Sequence, residues 1–479
     1  MDKTIRKNYY YNLAYQIVAI LAPLITAPYI SRALGVLGVG DYSFTFANAS
    51  YFVILANLGT ATFAQREVAL YKDDKTAVSK IFWQVLILRV IYGCVAIGLY
   101  FIVFCTLDSL SLLAIVQSLN ILCVAFDISW LYQGLEQFQK TSVRSFTIKL
   151  IFILYVFIFV HNETDLIIYA FGYGFITLVS NAVLWIGIKK YIIRIPISKL
   201  KIWVYVWPSF LLFIPTVANQ IYTVLDKTMI GLFTDSSLQN GIYEQAEKIS
   251  KMALTIYTSL GIVVAPRISY LYGKKEMGEV KKLLNESMTF MWFLIIPMCA
   301  GLFGISSNLV PWFYGEDFSG AIPILRIFSF LLLPVGLSNI TAVQCLIPIK
   351  KQNLFTISVV VGAAVNLILN LFLIPRFYAA GAAIASVVAE SVITLIQVYF
   401  VVFKLKIFTL NTIYQTSKRY LVCSLIMILP VYFLSNILTP SIIHSFELIT
   451  IGVVMYGILL VIFKDKYMMM IINKFVKKN

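Results

Sequence analysis

The stretch Ile81-Phe82-Trp83-Gln84-Val85-Leu86-Ile87-Leu88-Arg89-Val90-Ile91-Tyr92-Gly93-Cys94-Val95-Ala96-Ile97-Gly98-Leu99-Tyr100-Phe101-Ile102-Val103-Phe104 carries a single charge, Arg89. A hydrocarbon core about 30 Å thick is crossed by about 20 apolar residues of helix, so this stretch reads as a membrane span. Apolar runs of the same kind, broken by polar loops, recur along the chain at 12–31, 41–63, 81–104, 111–134, 145–160, 166–188, 203–232, 242–270, 287–306, 322–347, 354–375, 379–403, 419–438 and 446–463. They give fourteen spans and an all-α integral membrane fold. Of the 479 residues, 60% are hydrophobic and 13% charged, against about 25% charged in soluble domains. Little chain is left for an extramembrane enzyme domain.

The net charge of +16 has its source in topology rather than in nucleic acid, because Lys and Arg hold loops in the cytosol. With the N-terminus inside, thirty-one of the 38 Lys and Arg fall in cytosolic segments or at the inner ends of the adjoining spans. The outer loops hold two, Arg32 and Arg376, and Arg89, Lys227, Lys248, Lys251 and Arg326 lie inside spans. A missed or invented helix would invert this asymmetry for every later loop, so a multi-pass chain with both termini cytosolic is expected. Lys3, Arg6 and Lys7 precede an apolar stretch without a small-residue cleavage signature, which reads as a retained first helix. The six cysteines, Cys94, Cys105, Cys123, Cys299, Cys345 and Cys423, are scattered without a Cys-x-x-Cys pair, so neither a disulfide framework nor a metal site is expected.

A shift of 201 residues superposes Gly40, Tyr42, Ala64, Arg66, Leu70, Tyr71 and Lys80 on Gly241, Tyr243, Ala265, Arg267, Leu271, Tyr272 and Lys281. The copies are six spans apart and therefore share an orientation, which describes parallel repeats about an axis along the membrane normal. The expected organisation is an N-terminal lobe over 1–202 (spans 1–6), a C-terminal lobe over 203–408 (spans 7–12), and an appended helix pair with its tail over 409–479.

Several stretches resemble the polysaccharide repeat-unit flippases of the multidrug/oligosaccharidyl-lipid/polysaccharide exporter superfamily. They are Pro28-Tyr29-Ile30-Ser31-Arg32-Ala33-Leu34-Gly35, Asp127-Ile128-Ser129-Trp130-Leu131-Tyr132-Gln133-Gly134-Leu135-Glu136, Leu225-Asp226-Lys227-Thr228-Met229-Ile230-Gly231, Tyr243-Glu244-Gln245-Ala246-Glu247-Lys248-Ile249 and Asn366-Leu367-Ile368-Leu369-Asn370. The resemblance covers spans 1–12. It implies that an undecaprenyl-diphosphate-linked oligosaccharide passes from the inner to the outer leaflet of a bacterial plasma membrane between two six-helix lobes, for capsule, exopolysaccharide or O-antigen. A polysaccharide polymerase and other assembly proteins are the partners it suggests.

Ionisable residues inside spans are costly and mark function by default. In span 8, Glu244, Glu247, Lys248, Lys251, Thr255 and Thr258 follow spacings of three and four and share one helical face. That face lines a wet lumen whose cations meet the diphosphate and sugars, or it holds two satisfied pairs four residues apart. Asp226 and Lys227 of span 7, Arg326 of span 10, and Arg32 and Asp41 beside the first outer loop are expected at the same depth. On the inner side, Arg89 and Asp127 read as a buried pair joining spans 3 and 4 or as part of a cytosolic gate, with Gln117 and Asn120 on the Asp127 face. Arg66 and Arg267, at the inner ends of spans 2 and 8, retain topology or form a vestibule for an anionic head group. Glu390 in span 12 either carries a coupling proton or hydrogen-bonds a neighbouring helix. Asn366 and Asn370 read as interhelical glue, Pro23, Pro28, Pro208 and Pro215 as bends in the first helix of each lobe, and Trp130 as a candidate for sugar stacking.

Motifs for nucleotide hydrolysis, acyl transfer or metal binding are absent, and the two histidines, His161 and His444, sit in outer loops. No cofactor and no enzyme activity is expected; the drive would be a gradient of H+, Na+ or substrate. The alternatives are a multidrug or small-cation exporter of the same superfamily and a membrane polysaccharide polymerase or glycosyltransferase. The short outer loops disfavour the latter.

Overall fold

A backbone surrounded by hydrocarbon has to satisfy its own hydrogen bonds, which leaves helices as the available element for apolar runs of this length. The structure, a computed structural model, describes residues 3–104, 111–234 and 236–470, and these are helical with no strand among them. Cys105, the side chains of Lys3, Arg6, Lys7 and Pro215, and the tail residues Lys474, Lys477 and Lys478 lie outside the described residues.

In chain order the helices are α1 (Lys3–Asn57), α2 (Thr60–Leu70), α3 (Lys75–Phe104), α4 (Ser111–Phe126), α5 (Ser129–Gly134), α6 (Phe138–Phe159), α7 (Leu166–Val183), α8 (Val206–Thr234), α9 (Ser237–Gly273), α10 (Met277–Tyr314), α11 (Ala321–Ser329), α12 (Leu332–Ser338), α13 (Gln352–Tyr399), α14 (Leu410–Ile437) and α15 (Ile442–Ile462). A π-helical segment, Asn339–Leu346, follows α12. Ten described stretches are long and apolar enough to cross a membrane.

Polar caps punctuate the runs. Asp74 Oδ1 accepts from the amides of Thr76 (2.8 Å) and Ala77 (3.0 Å) at the start of α3. Thr409 Oγ1 accepts from Thr412 N (3.1 Å) before α14, and Ser441 Oγ from His444 N (3.1 Å) before α15. Each satisfies an amide that the first helical turn leaves without an internal partner.

Two boundaries differ from the sequence expectation. The outer loop expected over 32–40 is helical on both sides of one residue, Gly35 (φ 65°, ψ 175°), inside α1. A glycine adopts that left-handed φ without a Cβ penalty, so a single residue does the work of a loop. A Cβ there would also lie 2.6 Å from the Glu163 carboxylate. Gly59 (φ 71°) acts likewise between α1 and α2, where a Cβ would collide with the Ser209 carbonyl. Span 4 is not one rod but two, α4 and α5, separated at Asp127 and Ile128. Pro208 stands in the first turn of α8, where a missing amide breaks no helical bond, so it imposes no bend there. Pro23 and Pro28 lie inside α1.

The chain packs as two compact units, Met1–Gly231 and Leu232–Asn479. In the first, α1 packs on α3, α4 and α6, and α4 on α7. One core cluster there gathers Phe82, Val85, Trp130, Leu131 and Tyr132 with Ala64 and Val68. Trp130 is 1% exposed within it, so its ring packs in the core and is closed to a sugar. In the second unit α10 is the central element, packed on α9, α11, α14 and α15. Asn366 Nδ2 donates to Ser386 Oγ (3.4 Å) and Asn370 Nδ2 to Asn366 Oδ1 (3.1 Å). The first bond ties the halves of α13 on either side of Tyr378, whose φ of 52° interrupts that helix, and the second runs within the first half.

Candidate functional site: the charged face of α9

The stripe foreseen from spacing is present on α9. Lys248 Nζ lies 3.7 Å from Glu244 Oε1, and Lys251 Nζ 2.6 Å from Glu247 Oε1. Thr255 and Thr258 turn their hydroxyls back onto the carbonyls of Lys251 (2.8 Å) and Leu254 (3.1 Å). The opposite face is anchored by aromatic groups. Tyr243 packs edge-on against Phe328 at 5.2 Å, and the Tyr314 hydroxyl donates to the Gln245 carbonyl at 3.2 Å. That anchoring fixes which way the stripe points.

The two signs are not equally exposed. The side chains of Glu244 and Glu247 are 19% and 11% accessible, those of Lys248 and Lys251 30% and 53%. The carboxylates therefore sit low and the ammonium groups stand at the rim. The ammonium groups are thus the more accessible member of each pair.

Two residues beside the stripe went unnoticed in the charge pattern. Asn240 and Gln245 are buried, and neither amide atom of either side chain has a hydrogen-bond partner among the described residues. Asn240 precedes Glu244 by one helical repeat and so continues the same face. Extending the periodicity to uncharged polar residues would have found it.

Arg326 is held elsewhere in its unit. Its Nε donates to Ser306 Oγ (3.0 Å) and a terminal nitrogen to Ser307 Oγ (2.7 Å). Its guanidinium lies over the rings of Phe303 (5.5 Å) and Tyr432 (4.9 Å). These contacts bind α11 to α10 and α14.

Arg32, Asp41, Asp226 and Lys227 belong to the first unit. Arg32 is exposed and Asp226 is buried, and all four are engaged in polar or electrostatic interactions. Next to Asp226, Thr228 Oγ1 donates to Asn48 Oδ1 (3.0 Å), which joins α8 to α1. Glu390 is half-buried in α13 and likewise engaged. Arg66 pairs with its neighbour Glu67 at 3.4 Å on an open surface, and exposed Arg267 lies over Tyr270 at 5.4 Å.

The inner-side pair is a larger construction than charge pairing. Arg89, 2% exposed, approaches Asp127 only to 3.9 Å. Its stronger bonds run to the Val124 carbonyl (2.7 and 3.2 Å), Asn57 Oδ1 (3.0 Å) and Thr60 Oγ1 (3.3 Å). Asn181 Nδ2 takes the Cys123 carbonyl (2.9 Å) and Trp185 Nε1 the Phe126 carbonyl (2.9 Å). Side chains from other parts of the chain thus cap three carbonyls at the end of α4, and those of Cys123 and Val124 also accept from Asp127 N (3.1 and 3.3 Å). Asp127 itself accepts from Ser129 N (2.9 Å) and lies 3.8 Å from Arg144. Gln117 and Asn120 bond to each other (2.7 Å), and Gln117 reaches Thr45 (3.4 Å).

Among the described residues no group of His, Cys, Asp or Glu comes together as a metal site. Long apolar helices with paired charges built into them mark a multi-pass membrane protein. Residues 5–272 match the family described as polysaccharide biosynthesis protein, and the chain belongs to that family. It is 25% identical to a putative O-antigen transporter of Escherichia coli (strain K12), over 83% of this chain and 97% of that protein. Its fold is similar to that of lipid II flippase MurJ in an inward closed conformation, with a TM-score of 0.72, 18% identity, and coverage of 95% of this chain and 98% of that one. It is also similar to an inward-facing multidrug resistance MATE family transporter of the MOP superfamily, with a TM-score of 0.63, 14% identity, and coverage of 85% and 99%.

Proposed function

We propose that this protein is a flippase for a lipid-linked oligosaccharide: it carries an undecaprenyl-diphosphate-linked repeat unit from the inner to the outer leaflet of a bacterial plasma membrane by alternating access, without catalysing a bond change. The observation that carries this reading is the α9 stripe, whose lysines stand more exposed than the glutamates they pair with. A diphosphate is a dense anion, and a partly desolvated ammonium group is a strong partner for it. Family membership and the likeness to an O-antigen transporter support the cargo class.

In this reading the chain spans the membrane fourteen times. The ten long apolar stretches become twelve when 22–70 divides at Gly35 and 352–404 at Tyr378, and α8 and α9 complete the set. Both termini are cytosolic by the Lys and Arg asymmetry. The lobes are spans 1–6 and 7–12, with α14 and α15 appended. Arg32, Asp41, Asp226 and Lys227 contribute to the substrate path, Arg66 and Arg267 to the inner rim, and Glu390 to coupling to H+ or Na+. Polymerase and assembly proteins take the product.

The test is deletion followed by analysis of lipid-linked intermediates. Assembled, unpolymerised repeat units should accumulate in the inner leaflet. Their appearance in the outer leaflet would make the protein a polymerase instead.

A further inference from the structure

A groove of about 630 Å³ lies between α6 and α7, far along the chain from the α9 stripe. One end is polar and cationic, lined by Gln139, Lys140, Arg144 and Thr147. The remainder is aliphatic and exposed: Ile151, Val179, Val183 and Ile186 form its wall. Lys140 is fixed at the mouth, with its Nζ 3.2 Å from the Tyr191 hydroxyl and over the rings of Tyr132 (4.8 Å) and Tyr191 (4.7 Å). Lys190 extends the positive rim, 6.0 Å from the same Tyr191 ring. Arg144 is positioned by Asn181 (3.0 Å) and Asp127 (3.8 Å).

We propose that this groove binds an anionic phospholipid of the inner leaflet, of the phosphatidylglycerol class, with its phosphate between Lys140 and Arg144 and an acyl chain along the Val179–Ile186 wall. Cations continuous with a lipid-exposed wall select a ligand that brings an anion and a hydrocarbon chain together, and basic pockets between helices on the cytosolic side suit acidic head groups. Bulk anionic phospholipid outnumbers any biosynthetic lipid diphosphate in the leaflet, so mass action favours it as the resident. A resident phosphate would draw on Arg144 in competition with Asp127 and thereby reach the α4–α5 corner, where Asp127 also holds the Ser129 amide. The proposal takes the inner side from the charge asymmetry above and is independent of the cargo.

The test is native mass spectrometry of the full-length protein in detergent with added phosphatidylglycerol, phosphatidylethanolamine, inorganic diphosphate or undecaprenyl diphosphate. Phosphatidylglycerol should be retained in preference to phosphatidylethanolamine. Lys140→Gln should weaken retention roughly fivefold, the factor matching the ~1 kcal/mol that a basic residue contributes at an anionic surface. Val183→Trp keeps both cations but fills the wall, and should also reduce retention; both positions are exposed, so folding is preserved. Equal retention of phosphatidylethanolamine, or unchanged phosphatidylglycerol binding in Val183→Trp, would overturn the proposal. Displacement by inorganic diphosphate would make this a phosphate site without lipid, and displacement by equimolar undecaprenyl diphosphate would make it the cargo's; either result also overturns it. Retention that survives both competitors supports the resident lipid, whatever the outcome of the deletion test.

Discussion

Arg89 and Lys251 are both cations borne on long helices, and they are used in opposite ways. Arg89 is sunk to 2% exposure, and its guanidinium makes four hydrogen bonds, to a backbone carbonyl and two side chains. Lys251 has one carboxylate partner among the described residues, four residues back on its own helix, and stays 53% exposed. A charge that closes a helix end is unavailable to a ligand, whereas a charge held only by a local pair can exchange its partner for an anion. The contrast separates the charges that build this protein from those that can work for it.

The largest effect on folding is expected at Arg89. Arg89→Ala leaves the Val124 carbonyl without its guanidinium, and removing one member of a buried charged network costs about 3–5 kcal/mol. Membrane abundance measured by fluorescence size exclusion should collapse. Arg89→Lys should recover part of it, because an ammonium keeps the charge but cannot fork between Val124 and Asn57. A well-folded Arg89→Ala protein that had lost only export would erase the contrast with Lys251.

Arg326 falls between the extremes, being bonded to two hydroxyls and stacked on two rings yet part-buried. Arg326→Met removes the charged hydrogen bonds, worth about 1.5–3 kcal/mol, while keeping the aliphatic stem. Thermal stability in detergent should fall, and transport per folded molecule should hold. Loss of transport at full stability would move Arg326 into the substrate path.

On α9 the order inverts. Lys251→Ala breaks an i,i+4 pair worth roughly 0.2–0.5 kcal/mol, so abundance should barely change while export fails. Lys72→Ala, on an exposed pair with Glu136 at 3.2 Å, should do neither. The exchange Glu244→Lys with Lys248→Glu preserves the pair but shifts the cation by one turn, about 5.4 Å. Full export in that exchange would reduce the stripe to helix-stabilising pairs.

How much of this was legible differs between the two regions for a physical reason. The α9 stripe is a property of helical periodicity, so Glu244, Glu247, Lys248 and Lys251 stood out in the sequence. The Arg89 site depends on α4 stopping at Phe126, and no proline or glycine marks that stop. The one local signal is Asp127 two residues before Ser129, the spacing at which an aspartate bonds its own backbone. Even with that turn recognised, nothing in the sequence says that Arg89, Asn181 and Trp185 converge on the carbonyls at the end of α4, because those partners lie tens of residues away. Apolar runs likewise located the spans but not the sharpness of the Gly35 reversal, which depends on one backbone angle.

The smallest expected effect tests the same idea where cap and helix are neighbours in sequence. Asp165 Oδ2 accepts from His161 N (2.8 Å) and Asn162 N (3.1 Å) in the turn before α7. The bond from the His161 amide, chiefly, holds its carboxyl below the ordinary value of 3.8. A lowered carboxylate pKa contributes stability above the unfolded value and loses it as pH falls through the folded one. Amide-exchange protection of His161 and Asn162 should therefore be level from pH 7 to pH 5 and fall only below about 3.8, the ordinary Asp range. Asp165→Asn should lower protection at neutral pH and remove the acid-side decline. A decline already complete by pH 5 would show that the Asp165 carboxylate does not set the protection of this turn. In that event the turn would owe its order to the Tyr29 hydroxyl, 3.1 Å from the imidazole, and not to the aspartate cap.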